Sequence, residues 1–324
     1  MLISIVIPTY NVASYVVECL DSVASQTYRG KIECIIVDDC STDNTRDVVK
    51  DWLTGYHGCI TFRNINLPKN GGLANARNEG LKYINGDYLL FIDSDDAISP
   101  DCLEILTTSV LLHPHVDFVY GGMMELGGSP MMQQNLPSYT TDRYWLIRQT
   151  MFCGGHLRPS ACGKLIKLSL LTSHDIQFIE GIIHEDVSFS CQISQYAKSA
   201  CFCPQPIYYY RTHRQGSIIT SVSKNQDYAF RSRIILTQFL VSHVTGFASN
   251  LQRKSLLNRC VHYLRITDAE IIDRYRNERR KLEKSLVAQL SFPWSLMAQW
   301  YFTLPTKLKK NRFISSIILK TTRI

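Results

Sequence analysis

Three carboxylates within four residues, Asp93, Asp95 and Asp96, end the run Gly86-Asp-Tyr-Leu-Leu-Phe-Ile-Asp-Ser-Asp-Asp96. Carboxylates this close repel one another, and beside an apolar core they are costly unless a cation sits among them. Mg²⁺ or Mn²⁺ shared with ligand phosphates is the usual one. A solvated turn followed by a helix cap at Ser99-Pro100-Asp101 would use the same residue types. These residues alone leave both readings open.

Further polar clusters stand at Pro8-Thr-Tyr-Asn11, at Asp38-Asp39, and at Asn70-Gly-Gly72 with Arg77 after it. Each has a structural use of its own: Tyr10 as a half-buried core aromatic, Asp38-Asp39 as a helix cap, the glycine pair as a turn. Together they hold an aromatic to stack on a base, a carboxylate to accept from the base N–H, an arginine for phosphate and an acid pair for metal. Those are the parts of a nucleotide-diphosphate site. The glycines form no Gly-x-Gly-x-x-Gly fingerprint and no Gly-Lys-Ser/Thr follows them, so dinucleotide and P-loop readings drop out.

For these clusters to meet, the strands before them must end at one rim. The pattern predicts strands at Leu2 to Ile7, Ile32 to Val37, Ile60 to Ile65, Tyr88 to Ile92 and Val116 to Tyr120. Helices are predicted between them at Val12 to Ser25, Thr45 to Leu53, Gly72 to Ile84 and Pro100 to Leu112. Such alternation implies an α/β fold with a doubly wound, mostly parallel sheet and right-handed crossovers, helices lying on both faces. Ligands bind such sheets at the carboxyl ends of the strands.

The formal charge of +7 is not spread along the chain. Residues 1–280 carry 27 basic and 27 acidic side chains, whereas residues 281–324 carry 8 and 1. A neutral body with a cationic end argues against nucleic acid as a partner and for a tail that meets an anionic surface. The opening Met-Leu-Ile-Ser-Ile-Val-Ile-Pro has no basic leader and reads as a strand, so a cytoplasmic chain is expected. Its 11 cysteines lack paired metal spacing and read as reduced thiols. No apolar run reaches the roughly 20 residues of a spanning helix.

Four blocks then carry a resemblance: Ser-Ile-Val-Ile-Pro-Thr-Tyr-Asn (4–11), Ile-Ile-Val-Asp-Asp-Cys-Ser-Thr-Asp-Asn-Thr (35–45), Asn-Gly-Gly-Leu-Ala-Asn-Ala-Arg-Asn (70–78) and Phe-Ile-Asp-Ser-Asp-Asp (91–96). In this order and spacing the chain resembles family 2 glycosyltransferases of the GT-A fold, mainly over residues 1–120. The resemblance implies an inverting enzyme that uses a nucleotide-activated sugar, usually UDP-linked. It implies that Pro8, Thr9, Tyr10 and Asp39 hold uracil and ribose and that Arg77 meets the diphosphate or base. Asp93, Ser94 and Asp95 would serve the ribose and the Mn²⁺ or Mg²⁺, and Asp96 would orient the donor sugar.

Beyond residue 121 the alternation weakens. Met123 to Pro137 reads as a mobile loop, Tyr144 to Phe152 as a helix, and Ser160 to Lys167 as the segment leading to the acceptor side, with Lys164 at a position usually basic in the family. His184-Glu185-Asp186 precedes the apolar residues Val187, Phe189 and Ile193. Acids at a helix start are commonly caps and dipole partners. An inverting displacement also needs a base for the acceptor hydroxyl, and the family's Glu-Asp motif places it on Asp186, with Glu185 in support. His184 would bind acceptor hydroxyls or merely pack. Tyr208 to Ser217 resembles the loop that closes over the donor; Arg211 and Arg214 would face the diphosphate, and His213 would complete the metal's coordination.

The expected organisation is a GT-A catalytic domain over 1–222 (a nucleotide half, 1–120, and an acceptor half, 121–222), a helical extension over 223–290 and a basic amphipathic tail over 291–324. Trp and Phe beside Lys and Arg in that tail suit an interfacial anchor on the inner face of a membrane, close to a lipid-linked saccharide acceptor. A helix packed on the catalytic body or a protein partner is the other use of such a tail. A sugar nucleotidyltransferase and a non-catalytic nucleotide- or glycan-binding subunit remain the other functional classes.

Overall fold

A strand covered by helices on both sides of its sheet has no solvent face, and β1 (Leu2–Thr9) shows this: every residue from Ile3 to Thr9 is buried. The computed structural model describes residues 1–128, 130–131, 136–151, 157–212, 226–244 and 274–288. After β1 come α1 (Val16–Ala24), β2 (Lys31–Asp38), α2 (Thr45–Gly55), β3 (Thr61–Asn66), α3 (Leu73–Leu81), β4 (Tyr88–Phe91), β5 (Ala97–Ile98) and α4 (Cys102–Leu112). Next are β6 (Phe118–Glu125), β7 (Pro130–Met131), β8 (Tyr139–Thr140), α5 (Arg143–Met151), β9 (Lys164–Lys167) and α6 (Leu168–Ser173). The remaining elements are α7 (Glu185–Tyr196), β10 (Ala200–Tyr210), α8 (Gln226–Val244) and α9 (Arg276–Ala288).

The sheet runs β3-β2-β1-β4-β9-β6-β10-β5, with β7 beside β6 and β8 beside β10. The strands β3, β2, β1 and β4 are mutually parallel, with Thr9 opposite Asp38 and Val6 opposite Phe91. Their carboxyl ends therefore deliver Thr9-Tyr10, Asp38-Asp39 and Asp93 to one rim, as the pattern predicts. Past β4 the sheet admits β9 antiparallel between β4 and β6, while β10 lies parallel to β6. The two-residue β5, immediately after the acid cluster, pairs with Tyr208 and Tyr209 near the end of β10. That pairing ties the acid loop to the far half of the sheet.

Helix α3 lies close on β1 and β2 because Gly80 lets it. A Cβ there would stand 2.5 Å from Val6 Cγ1 and 3.3 Å from Val37 Cγ2. This approach lowers the preceding turn of α3, with Arg77 and Asn78, into the protein.

Two departures from the sequence pattern have physical reasons. The segment from Met123, read as a mobile loop, continues β6 as far as Glu125, because β10 pairs with it up to Tyr210 and β7 adds Met131 opposite Met123. Helix α1 begins at Val16 rather than Val12, since Val12 to Tyr15 closes a turn with Tyr15 N–H donating to the Val12 carbonyl at 2.8 Å. Toward the C-terminus α8 packs on α7, and Ser232 Oγ accepts the Ile183 N–H at 3.2 Å. Helix α9 follows on α8, where Tyr275 meets Phe230 edge-on and donates to Asp227. Residues 245–273 of the helical extension expected over 223–290, and the tail 291–324, lie outside the described residues. Among the described residues no helix is long and apolar enough to cross a membrane.

Candidate active site

The acid loop is held from beneath by its own backbone and by β10. Asp93 N–H donates to the Tyr208 hydroxyl at 3.1 Å, and that hydroxyl donates to Asp96 Oδ2 at 2.6 Å. Arg211 N–H donates to Asp96 Oδ1, and Arg211 Nε to the Asp95 carbonyl, both at 2.8 Å. Asp96 is 1% exposed, and burial, with Asp93 and Asp95 adding to it, pushes its carboxyl up to about 8. It is a strut inside the loop, its two oxygens engaged by the Tyr208 hydroxyl and the Arg211 N–H. Asp93 and Asp95 keep partial exposure at the rim, with Ser94 buried between them.

Their donor set suits a hard cation in one specific way. Mg²⁺ or Mn²⁺ bound through a diphosphate takes one or two carboxylates and fills its other positions with phosphate oxygens and water. Among the described residues no three acidic, histidine or cysteine side chains converge as a cage, and His213 lies outside them. Asp93 and Asp95 therefore fit a metal shared with a ligand better than one held by the protein alone.

On the nucleotide side, Tyr10 stands 42% exposed at the rim, free to stack. Pro8 and Thr9 are buried, and Thr9 Oγ1 turns back to the Val37 carbonyl, so the Thr9 side chain does not reach a ligand. Asp39 accepts the N–H groups of Gly71 and Gly72, one on each oxygen, both at 2.7 Å. Gly72 takes φ +86, a left-handed conformation that favours glycine, and opens α3. The first task of Asp39 is thus to fix the entry to α3; each oxygen keeps a second lone pair. Burial raises its pKa, and the two glycine N–H groups oppose the shift.

Arg77 departs most from expectation. It is 2% exposed, and its guanidinium bridges two carboxylates, Nη2 to Asp93 Oδ1 at 2.6 Å and Nη1 to Glu185 Oε1 at 2.8 Å. It lies over the Phe178 ring at 5.1 Å, within a cluster in which Phe178 stacks on Phe189 and Phe91 meets both edge-on. Burial opposes its charge, but Asp93 and Glu185 outweigh burial and hold its pKa above that of an ordinary arginine. A guanidinium so committed is not turned toward a diphosphate; it links Asp93 of the acid loop to the start of α7. Asn78 strengthens the link: its Nδ2 donates to the Phe178 carbonyl and to Glu180, and its Oδ1 accepts the Phe178 N–H. An asparagine inside a helix is a weak helix former, and that is the sequence signal that its side chain is engaged elsewhere.

Before α7 the chain turns sharply at His184, whose φ of +61 is uncommon for a residue other than glycine. Glu185 and Asp186 follow as the first helical residues. Burial, with the neighbouring Glu185 adding to it, pushes the Asp186 carboxyl up to about 7, while Arg77 and Lys164 pull the other way. A carboxylate poised near neutrality is suited to taking a proton. Asp186 shares a cavity of about 240 Å³ with Asp93, Asp96, Met123, Arg158 and Tyr210. Lys164, 3% exposed, donates to the Arg158 carbonyl at 3.1 Å and to the Ser160 carbonyl, and lies over the Tyr120 ring.

Arg211, expected at the diphosphate, grips the acid loop and pairs with Glu18 over the ring of Tyr15. Arg214 lies outside the described residues, as does His213. Tyr208 was not singled out by sequence reasoning: a run of three tyrosines gives no sign which hydroxyl ends beside two carboxylates.

The model of Glycosyl transferase family 2 matches residues 4–166. The poly(ribitol-phosphate) beta-N-acetylglucosaminyltransferase TarS of Staphylococcus aureus is 29% identical over 244 residues, 74% of this chain and 41% of that protein. The poly(ribitol-phosphate) beta-glucosyltransferase of Bacillus spizizenii is 32% identical over 219 residues, 67% of this chain and 33% of that protein. This chain thus spans well under half the length of either relative. The crystal structure of S. aureus TarS 1-349 in complex with UDP-GlcNAc superposes with a TM-score of 0.75 at 22% identity, covering 99% of this chain and 92% of that one. Its likeness identifies the fold as GT-A. This chain belongs to glycosyl transferase family 2.

Proposed function

We propose that the chain is an inverting, metal-dependent glycosyltransferase that moves a hexosyl or N-acetylhexosaminyl group from a UDP-sugar to a saccharide hydroxyl during cell-surface polysaccharide synthesis. The observation that carries this reading is the cavity of about 240 Å³ onto which Asp93, on the leaving-group side, and Asp186, on the base side, both open. The UDP-GlcNAc in the TarS structure supports the donor class.

In this reading uracil stacks on Tyr10, and Asp39 uses its remaining lone pairs toward the base. Asp93 and Asp95 hold Mn²⁺ or Mg²⁺ against the donor's diphosphate; when bound, the ion neutralises charge that builds on the leaving UDP. Asp186 takes the proton of the acceptor hydroxyl as its oxygen attacks the anomeric carbon. The bond from that carbon to the UDP oxygen breaks on the opposite face, and the bonding electrons leave with UDP. An α-linked donor thus gives a β-linked product. Glu185, bound to Arg77, fixes the turn that presents Asp186.

Residues 291–324 carry a cationic excess with Trp and Phe among it, which supports contact with an anionic lipid surface near a lipid-linked acceptor. Liposome sedimentation of the full chain and of a chain ending at residue 290 tests the tail. Equal sedimentation of the two would count against it. The reaction is tested by UDP release from a panel of UDP-sugars with Mn²⁺ and an acceptor, the product anomer being read by NMR. Pyrophosphate release from a nucleoside triphosphate and sugar phosphate would point instead to a nucleotidyltransferase.

A further inference from the structure

The cavity beside Asp186 is lined by the acidic residues Asp93, Asp96 and Asp186, and among the described residues that line it Arg158 is the one cation. Arg158 is exposed, and its guanidinium has no ion-pair partner among the described residues. Its backbone is not that of a loose surface loop. The buried ammonium of Lys164 donates to the carbonyls of Arg158 and Ser160, fixing the wall from behind. Taking an ammonium out of water is costly, and here two carbonyls of this one loop, the Tyr120 ring and the charge of Asp186 compensate it. The result is an arginine with its main chain held and its exposed side chain at the wall of the cavity.

We propose that Arg158 receives an anion carried by the acceptor, a phosphodiester or a uronate carboxylate next to the hydroxyl presented to Asp186, with Lys164 as the positioning residue. This rests on assigning the cavity to the acceptor. A neutral saccharide has no need of a cation there. An anionic one approaches Asp93 and the base Asp186 and is disfavoured there unless a counter-charge stands at the entrance, and a guanidinium pairs with phosphate or carboxylate through two parallel hydrogen bonds.

Calorimetric titration separates the possibilities without requiring turnover. The probes are a short polyol-phosphate oligomer, a glucuronate-bearing oligosaccharide and a neutral oligosaccharide of equal length, each titrated into protein holding UDP and Mn²⁺. The wild type is expected to bind at least one anionic probe about tenfold more tightly than the neutral one, a preference that shrinks as salt is raised. The two anionic arms tell phosphate from carboxylate. Arg158→Gln is expected to bring the ratio near one, and Arg158→Glu to reverse it. Lys164→Met, checked for its fold by circular dichroism, is expected to lower the same ratio. Equal binding of all three probes by the wild type, or an unchanged ratio in Arg158→Gln, overturns the proposal. Charge-selective binding without any UDP release from UDP-sugars would instead count against the proposed reaction.

Discussion

Arg77 Nη1 donates to Glu185 Oε1 at 2.8 Å across 108 residues of sequence, inside the protein. The same guanidinium holds Asp93, so one buried cation joins the acid loop at the rim to the start of α7. Removing one partner from such a pair leaves the others charged and unpaired. Arg77→Met is expected to destabilise the fold by about 3–5 kcal/mol in urea unfolding. Adding Glu185→Gln should restore part of that loss, giving a double variant less damaged than the sum of the singles. Strictly additive losses would mean that the pair is not coupled.

The raised carboxyl of Asp186 makes two statements about pH. Only its ionised form takes a proton, so kcat/KM should rise about tenfold per unit of pH below about 7 and level off above it. For stability the sign is opposite. The native state holds this proton up to about pH 7, whereas an unfolded aspartate loses it near pH 4. The contribution is therefore fully present below the unfolded value and is lost as pH rises through about 7. Asp186→Asn is expected to be at least as stable as the wild type at pH 8; a lower melting temperature there would contradict this.

Tyr208 and Asp39 test the scaffolding behind the ligand groups. Without its hydroxyl, Tyr208→Phe leaves the Asp93 N–H and the Asp96 carboxylate each short of a partner. The Mn²⁺ concentration for half-maximal activity should rise about 10- to 100-fold, the usual range when a group supporting metal ligands is lost. An unchanged Mn²⁺ requirement would remove Tyr208 from the account.

Asp39→Ala removes the acceptor of two N–H groups at the entry to α3. A loss of about 1–3 kcal/mol in stability, with weaker UDP binding by calorimetry, is expected. Intact UDP binding would confine Asp39 to a structural role.

Much of this site could be read before the fold was known, and the reasons are local. Apolar runs bounded by polar clusters mark strands in a covered sheet, and alternation with helices puts their ends on one rim, which is how Tyr10, Asp39, Asp93 and Asp95 are found together. What escaped depends on partners distant in sequence. Arg77 is a cation in a motif that reads as phosphate-binding, and nothing local tells that the protein supplies its own carboxylates at positions 93 and 185. Thr9 sits in the same motif as Tyr10, but alternation along β1 turns its hydroxyl into the sheet. The antiparallel entry of β9 and the pairing of β5 with β10 are likewise set by contacts across the sheet, which a local period does not encode.

In the proposed reaction Asp186 is the base, and the other acids serve the leaving group. Transfer from a UDP-sugar by Asp186→Asn, measured beside its calorimetric affinity for UDP with Mn²⁺, tests it most directly. At least about a hundredfold loss of rate is expected, with UDP affinity within about twofold of the wild type. A near-normal rate in that variant would contradict it.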